Sequence, residues 1–382
     1  MKFVHLSDCH LGGWRQPELE YLNLKSFQIV IDTCIREKVD FVLIAGDLFD
    51  SAYPNIDTLK NTFKEFRRLK DEAIPVFLIA GSHDYSVSGK TFLDVLENAG
   101  LCKNVSIFEE KAGKIILQPT LHENVAIYGY PGKKSGMEVD EIERAVIQDS
   151  PGMFKILMLH TAIKDAVPRL PIKSVDESKL PKVDYLALGH LHIKYSKEGR
   201  VYSGPTFPNN LSELEELQGG SFYIFNNGVI RREEIKIKEL VVLNLKIKNA
   251  LHATEDILSN LEKFNLRDKI VIVKLSGIIE QGKTSDIDFK KIESYVLKEK
   301  AYSFLKSTTK LHIPQSEVRI NLSENEDIES QIIKRFEESN PSKFNGFIPS
   351  LLRGLQIEKL EDEKSIVFED RVLSEVKKIL LQ

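Results

Sequence analysis

Residues 2–12, Lys2-Phe3-Val4-His5-Leu6-Ser7-Asp8-Cys9-His10-Leu11-Gly12, join a strand-forming run to a polar tip that carries a carboxylate and an imidazole. The pattern returns at Phe41-Val42-Leu43-Ile44-Ala45-Gly46-Asp47, and again where Val76–Ala80 precedes Gly81-Ser82-His83-Asp84. Helical stretches lie between. Leu24–Lys38 is amphipathic, and Asp57–Lys70 sets Leu59, Phe63, Phe66 and Leu69 on one stripe. Alternating strands and helices make βαβ units, with strands buried beneath helices.

Working outward, further strands are predicted at Val125–Tyr130, Lys155–Leu159 and Tyr185–Leu188. Tyr195–Tyr202 turns at Glu198-Gly199 and Phe222–Ile235 at Asn227-Gly228, so both read as hairpins. Residues 1–235 therefore predict an α/β (α+β) layered sandwich of sheets flanked by helices. A second unit, 236–315, has strand Val241–Ile247, helix Thr254–Lys263, strand Ile270–Ser276, helix Ile287–Leu297 and a strand near Lys310–Ile313. That order suits a small two-layer α/β domain. Residues 316–382 read as a helical tail: helices at Asp327–Glu338 and Val372–Leu381, with Pro341, Pro349 and Gly354 breaking the segment between.

The chain has 382 residues, enough for about two to three domains at roughly 150 residues each. Its formal charge is −4, divided as −5 over 1–235 and +1 over 236–382. A wholly basic nucleic-acid coat is excluded, so polyanion contacts must come from local patches or bound cations. Three scattered cysteines form neither a disulfide framework nor a thiolate zinc cage. The sequence shows no apolar run near 18 residues and no charged-then-apolar leader, so a soluble, cytoplasmic protein without membrane contact is expected.

Five segments place polar residues just after apolar strands: Asp8-Cys9-His10, Gly46-Asp47, Gly81-Ser82-His83-Asp84, His160, and Gly189-His190-Leu191-His192. Sites in α/β sheets form outside the carboxyl ends of strands. In extended backbone, residues i and i+2 share a face, which pairs Asp8 with His10 and His190 with His192. A single strand-end Asp is ordinarily a cap and a single His a core residue. Five of the nine histidines in these segments is a different matter. Carboxylates and imidazoles without thiolates favour Mn, Fe, Zn or Mg, with histidine weighting against Mg. Six ligand candidates exceed one tetrahedral site, so a dinuclear centre is predicted, with Asp47 placed to bridge. Cys9 alternates away from the ligands and is expected to pack; Asp84 is expected to support His83 or a neighbouring loop.

This pattern resembles the calcineurin-like metallophosphoesterases, which implies a four-layer metallophosphoesterase sandwich. Ser7–Gly12, Gly46-Asp47-Leu48-Phe49-Asp50 and Ala187–His192 look closer still to the DNA double-strand-break-repair nuclease subunit of the meiotic-recombination-eleven/SbcD type. By motif position, the resemblance implies that Asp8, His10, Asp47 and His192 hold one metal. Asp47, Ser82, His160 and His190 would hold the other, and His83 would assist the leaving group. It further implies two Mn²⁺ ions, exonuclease and endonuclease action on broken DNA, a DNA-capping role for 236–315 and a homodimer. The tail would then dock an SbcC-type coiled-coil SMC-related ATPase, in a nucleoid-associated assembly. Ser82 departs from the family's Asn; a hydroxyl is a shorter, weaker neutral ligand, which predicts a weakened second metal. A phosphodiesterase for small nucleotides and a catalytically weak scaffold that recruits the ATPase are the alternatives.

Residues 277–284, Gly277-Ile-Ile-Glu-Gln-Gly-Lys283-Thr284, also fit a phosphate-loop expression after a strand. β-branched Ile278 and Ile279 disfavour the wrapped backbone such a loop needs, so a coincidence is predicted. With net charge −4, DNA contacts must fall on clusters: Arg67, Arg68 and Lys70; Lys133-Lys134; Arg169 and Lys173; Arg231-Arg232. On the last helix Val372, Val376, Ile379 and Leu380 form an apolar stripe, open either to packing or to helix-in-groove docking.

Overall fold

Strand Lys2–Leu6 divides its side chains between two cores. Phe3 faces a layer shared with Phe41, Leu43, Phe77, Ile127, Ile156 and Met158, whereas Val4 and Leu6 face a layer with Phe27, Val30 and Phe66. Both faces are buried, so these strands read as continuous apolar runs rather than alternating ones. His5 shares the inner parity: it is wholly buried, 3.1 Å from the Tyr185 hydroxyl, and burial pushes its pKa down to about 3. It is a neutral core residue.

The structure, a computed structural model, describes residues 1–86, 89, 91–133, 136–168, 171–312, 333–334, 336–338, 341–357 and 365–380. The chain divides into two units, Met1–His312 and Ile313–Gln382. In the first unit one six-stranded sheet runs in the order Val229–Ile235, Gly220–Asn226, Lys2–Leu6, Phe41–Ala45, Val76–Ile79, Lys103–Asn104. The other runs Tyr195–Lys197, Arg200–Tyr202, Tyr185–Gly189, Phe154–His160, Val125–Tyr130, Thr120–His122. Lys2–Leu6, Phe41–Ala45 and Val76–Ile79 are parallel, as are Val125–Tyr130, Phe154–His160 and Tyr185–Gly189. The two hairpins form at their predicted turns.

Helices Pro17–Glu37 and Ile56–Asp71 cover the first sheet. The first begins earlier than the periodicity predicts, because Pro17 occupies its opening turn, where a missing N–H costs nothing. Among the described residues, no long helix flanks the second sheet. A three-stranded sheet, Phe108–Lys111, Lys114–Leu117 and Ala145–Ile147, covers it with the short helix Glu138–Ile142. These elements are too short to announce themselves by periodicity.

The smaller parallel sheet is Leu240–Lys246, Ile270–Ile278 and Ser303–His312, with helices Ala250–Leu261 and Phe289–Lys298 on one face. The last strand starts at Ser303, not near Lys310. It is an edge strand, and its exposed Lys306, Thr309 and Lys310 hide the pattern. The sheet's other face brings Ile270, Ile272 and Leu305 against Trp14, Leu22, Phe207 and Leu214.

The phosphate-loop match is a coincidence in backbone terms as well. The amides of Ile279 and Glu280 donate to the carbonyls of His312 and Lys248, and that of Lys283 to the Asp286 carboxylate. A three-residue 3-10 turn, Thr284–Asp286, follows instead of a helix. Those donors are spent on the protein.

In the second unit, Ile348–Leu355 and Ser365–Leu380 are helices. Pro349 and Gly354 therefore do not break the segment. Pro349 sits in the first turn, and Gly354 lies where a Cβ would come within 3.0 Å of Ile379 Cδ1. Val372, Val376 and Ile379 are half-buried and Leu380 is exposed. The helix predicted at Asp327–Glu338 falls largely outside the described residues. Among those described, no helix is long and apolar enough to cross a membrane.

Candidate metal centre

Parity and strand ends build the site. His160 continues the inward side of Ile156 and Met158, so it enters the gap between sheets at their carboxyl ends. Its Nδ1–H donates to the Ala45 carbonyl of the other sheet (2.9 Å), which turns Nε2 toward Asp47 Oδ2 at 3.1 Å. The two tip segments are laced together: Asp8 N donates to Gly46 O, and His10 N to Asp47 O.

The expected extended i, i+2 alternation does not produce the convergence. Asp8, His10 and Asp47 have φ of 51°, 43° and 51°, and His190 has 92°. These left-handed conformations are strained for residues with a Cβ, and such strain collects at functional sites. The kinks aim Asp8 and His10 into the cleft while Cys9 turns into the core, fully buried, with its thiol pushed up by that burial.

Among the described residues, three groups bring potential ligand atoms within 4.8 Å of one another: Asp8, His10 and His192; Asp8, Asp47 and His160; His10, Asp50 and His83. His10 Nε2 and His192 Nε2 face each other at 3.1 Å, and His192 Nε2 lies 3.8 Å from Asp8 Oδ1. His190 falls outside these groups. Its ring packs edge-on against His160, centroids 5.2 Å apart, and its amide donates to Asp8 Oδ1. The Ser82 hydroxyl reaches Asp47 Oδ2 only at 3.4 Å. His83 Nδ1–H donates to the Asp50 carbonyl (2.8 Å) with the ring half-exposed in the cleft, and its amide donates to Asp47 Oδ1 (2.8 Å). All eight predicted residues thus meet in one place.

Burial by itself would raise the Asp47 carboxyl, yet attraction to His160 and hydrogen bonds hold it well below the carboxylate range. Burial would likewise depress His160, but Asp47 overrides it and holds the imidazole at about 10. Asp84 behaves oppositely. Burial and the Asp47 charge lift it to about 6, while it accepts amides from Gly81 (2.9 Å) and Phe49 (3.0 Å). It ties two loops together.

The donor set fits divalent cations. His160 Nε2 is fully buried and aimed at the Asp47 carboxylate, with no other polar neighbour in hydrogen-bond geometry, and the two Nε2 atoms at 3.1 Å converge as flanking ligands of one ion do. Which ion is a matter of coordination chemistry; oxygen and imidazole ligands suit the harder first-row ions.

Gly189 makes this approach possible. A Cβ there would lie 2.0 Å from the Ala45 oxygen and 2.8 Å from His160 Nδ1. Gly189→Ala is expected to cost about 3 kcal/mol or more. It should lower the thermal midpoint by several degrees and weaken cation uptake together. An unchanged midpoint would contradict this packing.

Three residues were not anticipated. Asp50 accepts from His10 Nδ1 (3.1 Å), Glu213 Oε1 lies 3.0 Å from His192 Nδ1, and Asn209 stands between them. Asp50 stood in view three residues after Asp47. Glu213 gave no signal, since it comes from a separate helix, Leu211–Leu217. The proposed DNA cations are largely ion-paired: Arg68 with Asp32 and Glu65, Lys133 with Glu141, Lys173 with Asp140, Arg232 with Glu234. Lys134 and Arg169 lie outside the described residues.

The DNA double-strand break repair protein Mre11 of Methanosarcina mazei is 29% identical over 78% of this chain and 48% of that protein. The Mre11 of Sulfolobus acidocaldarius is 29% identical over 73% of this chain and 76% of its own length. The metallophosphoesterase YhaO of Bacillus subtilis is 28% identical over 56% and 55%. The chain spans about half the length of the Methanosarcina relatives. A match to calcineurin-like phosphoesterases runs from residue 1 to 194, across both sheets' ligand-bearing ends, and this chain belongs to the calcineurin-like phosphoesterase family.

Proposed function

We propose that this chain is a Mn²⁺-dependent DNA nuclease, hydrolysing phosphodiester bonds at broken ends by exonuclease and endonuclease action. The observation that carries the reading is the convergence of two aspartates, four imidazoles and His83 where the carboxyl ends of two sheets meet. When bound, divalent cations supply Lewis-acid stabilisation of phosphate charge and activation of water.

The chain's own residues do the rest. Asp8, His10 and His192 would hold one ion, His160, His190 and Ser82 the other, with Asp47 shared. His83 spends Nδ1–H on the Asp50 carbonyl, so Nε2 is the nitrogen left to face the leaving oxygen, and it gives that oxygen a proton from the doubly protonated ring, which ends neutral with Nδ1–H retained. The cleft, about 770 Å³, is lined by His83, His190, Tyr53, Lys133 and Lys173, a volume that admits a nucleotide. Ser82 supports a weaker second ion. The names of the Mre11 relatives support broken DNA as substrate, and assembly as a homodimer with a coiled-coil SMC-related ATPase belongs to the same reading.

The test compares cleavage of an end-labelled DNA duplex with that of a small aryl phosphodiester, both with Mn²⁺. Preferred cleavage of DNA is expected. Hydrolysis of the small ester alone would favour a nucleotide phosphodiesterase, and no hydrolysis of either with zero or one Mn²⁺ bound per chain at saturating metal would favour a scaffold.

A further inference from the structure

Behind the metal centre, the buried His10 and the half-buried His192 each turn their back on a carboxylate. His10 Nδ1 lies 3.1 Å from Asp50 Oδ1, and His192 Nδ1 lies 3.0 Å from Glu213 Oε1. Those carboxylates are joined. Asn209 Nδ2 donates to Asp50 Oδ1 at 3.1 Å, and the Asn209 backbone N–H donates to Glu213 Oε2 at 2.8 Å. The Asn209 side chain holds this pose although its own Oδ1 stays buried without a partner. Orienting Nδ2 toward Asp50 is worth more than satisfying that oxygen.

The helix that supplies Glu213 is itself fixed. Asn210 caps it, accepting from Glu213 N at 3.0 Å and donating to Glu213 Oε1 at 2.6 Å. On the helix's other side Leu214 is buried against Trp14, Ile270 and Leu305. A neutral imidazole that donates from Nδ1 presents a lone pair at Nε2. Both imidazoles are locked that way, and their Nε2 atoms aim at one point from 3.1 Å apart. Two facing lone pairs repel unless a cation or proton lies between them. His160, by contrast, donates its Nδ1–H to the neutral Ala45 carbonyl at 2.9 Å, with the nearer Asp8 carboxylate oxygen 4.0 Å away.

We infer that Asp50, Asn209 and Glu213 form a carboxylate–amide–carboxylate brace that fixes the tautomers of His10 and His192 and makes their shared cation subsite the tighter of the two. These are positioning residues: they act through the histidines. The inference rests on the metal-centre reading above. Carboxylates behind ligating histidines raise ligand basicity and are worth about 10–100-fold in metal affinity.

The test is a calorimetric Mn²⁺ titration of the full chain, with ¹⁵N NMR of the histidine tautomers before metal is added. Wild type should show a tight step and a weaker one, with the Nδ1–H tautomer at His10 and His192. Glu213→Gln keeps an acceptor but loses charge, and should weaken the tight step about 10-fold. Glu213→Ala should weaken it about 100-fold and mix the His192 tautomers. Asn209→Ala, which leaves both carboxylates in place, covers the case in which Glu213→Ala unfolds; it should weaken the tight step by a smaller factor. Tight-step affinities within twofold of wild type in all three variants, with unchanged tautomers, would overturn the brace alone. Absence of Mn²⁺ binding by wild type would instead overturn the metal-centre reading.

Discussion

Asp47→Asn is expected to abolish cation binding and DNA cleavage together, lowering the rate about 10³-fold or more, a loss of about 4 kcal/mol of transition-state stabilisation. Asp47 presents Oδ2 to both halves of the site, 3.1 Å from His160 Nε2 and 3.8 Å from His10 Nε2. Its Oδ1 meanwhile accepts the His83 amide at 2.8 Å. An amide keeps the shape but loses the charge and one acceptor edge. The attraction between Asp47 and the His160 imidazole that offsets the burial of both would then be gone. Bound Mn²⁺ per chain should fall from two toward zero, with far-ultraviolet circular dichroism confirming the fold. Retention of both ions with more than a tenth of the rate would show that another group bridges.

His83→Ala should separate chemistry from binding. Its ring is half-exposed, and Nδ1 is committed to the Asp50 carbonyl, outside the buried ligand groups of Asp8 and Asp47. Removing it should leave Mn²⁺ uptake within twofold while DNA cleavage falls about 10²–10⁴-fold, the range for loss of a positioned general acid. The role also predicts a dependence on the leaving group. A nitrophenolate ester departs without protonation, so the variant should lose far less on that substrate than on DNA. An equal loss on both would assign His83 to transition-state charge stabilisation, and a loss of metal would assign it to the ligands.

Much of this was legible in residue order. Strand Lys2–Leu6, Phe41–Ala45 and Val125–Tyr130 lie where apolar runs bounded by Gly and Asp place them, because strands buried on both faces cannot be written otherwise. The hairpin turns at Glu198-Gly199 and Asn227-Gly228 were equally plain, since few residues adopt positive φ at turn positions. The small sheet at Phe108–Lys111, Lys114–Leu117 and Ala145–Ile147 was not legible. Runs this short and largely polar are strands only because the second sheet offers them a surface.

The metal centre divides along the same line. Sequence determined the cast: Asp8, His10, Asp47, Ser82, His83, His160, His190 and His192 each follow a strand, and the strand end is a local property. Tertiary structure alone decided how they meet. Left-handed φ at Asp8, His10 and Asp47 replaces the extended alternation, and the Ala45 carbonyl turns His160. Glu213 arrives from a helix whose place depends on Leu214 packing across from Ile270. Each of these is a contact between segments far apart in the chain. Local pattern specifies which groups stand at a strand end, but only the packing of two sheets specifies the few ångströms between them.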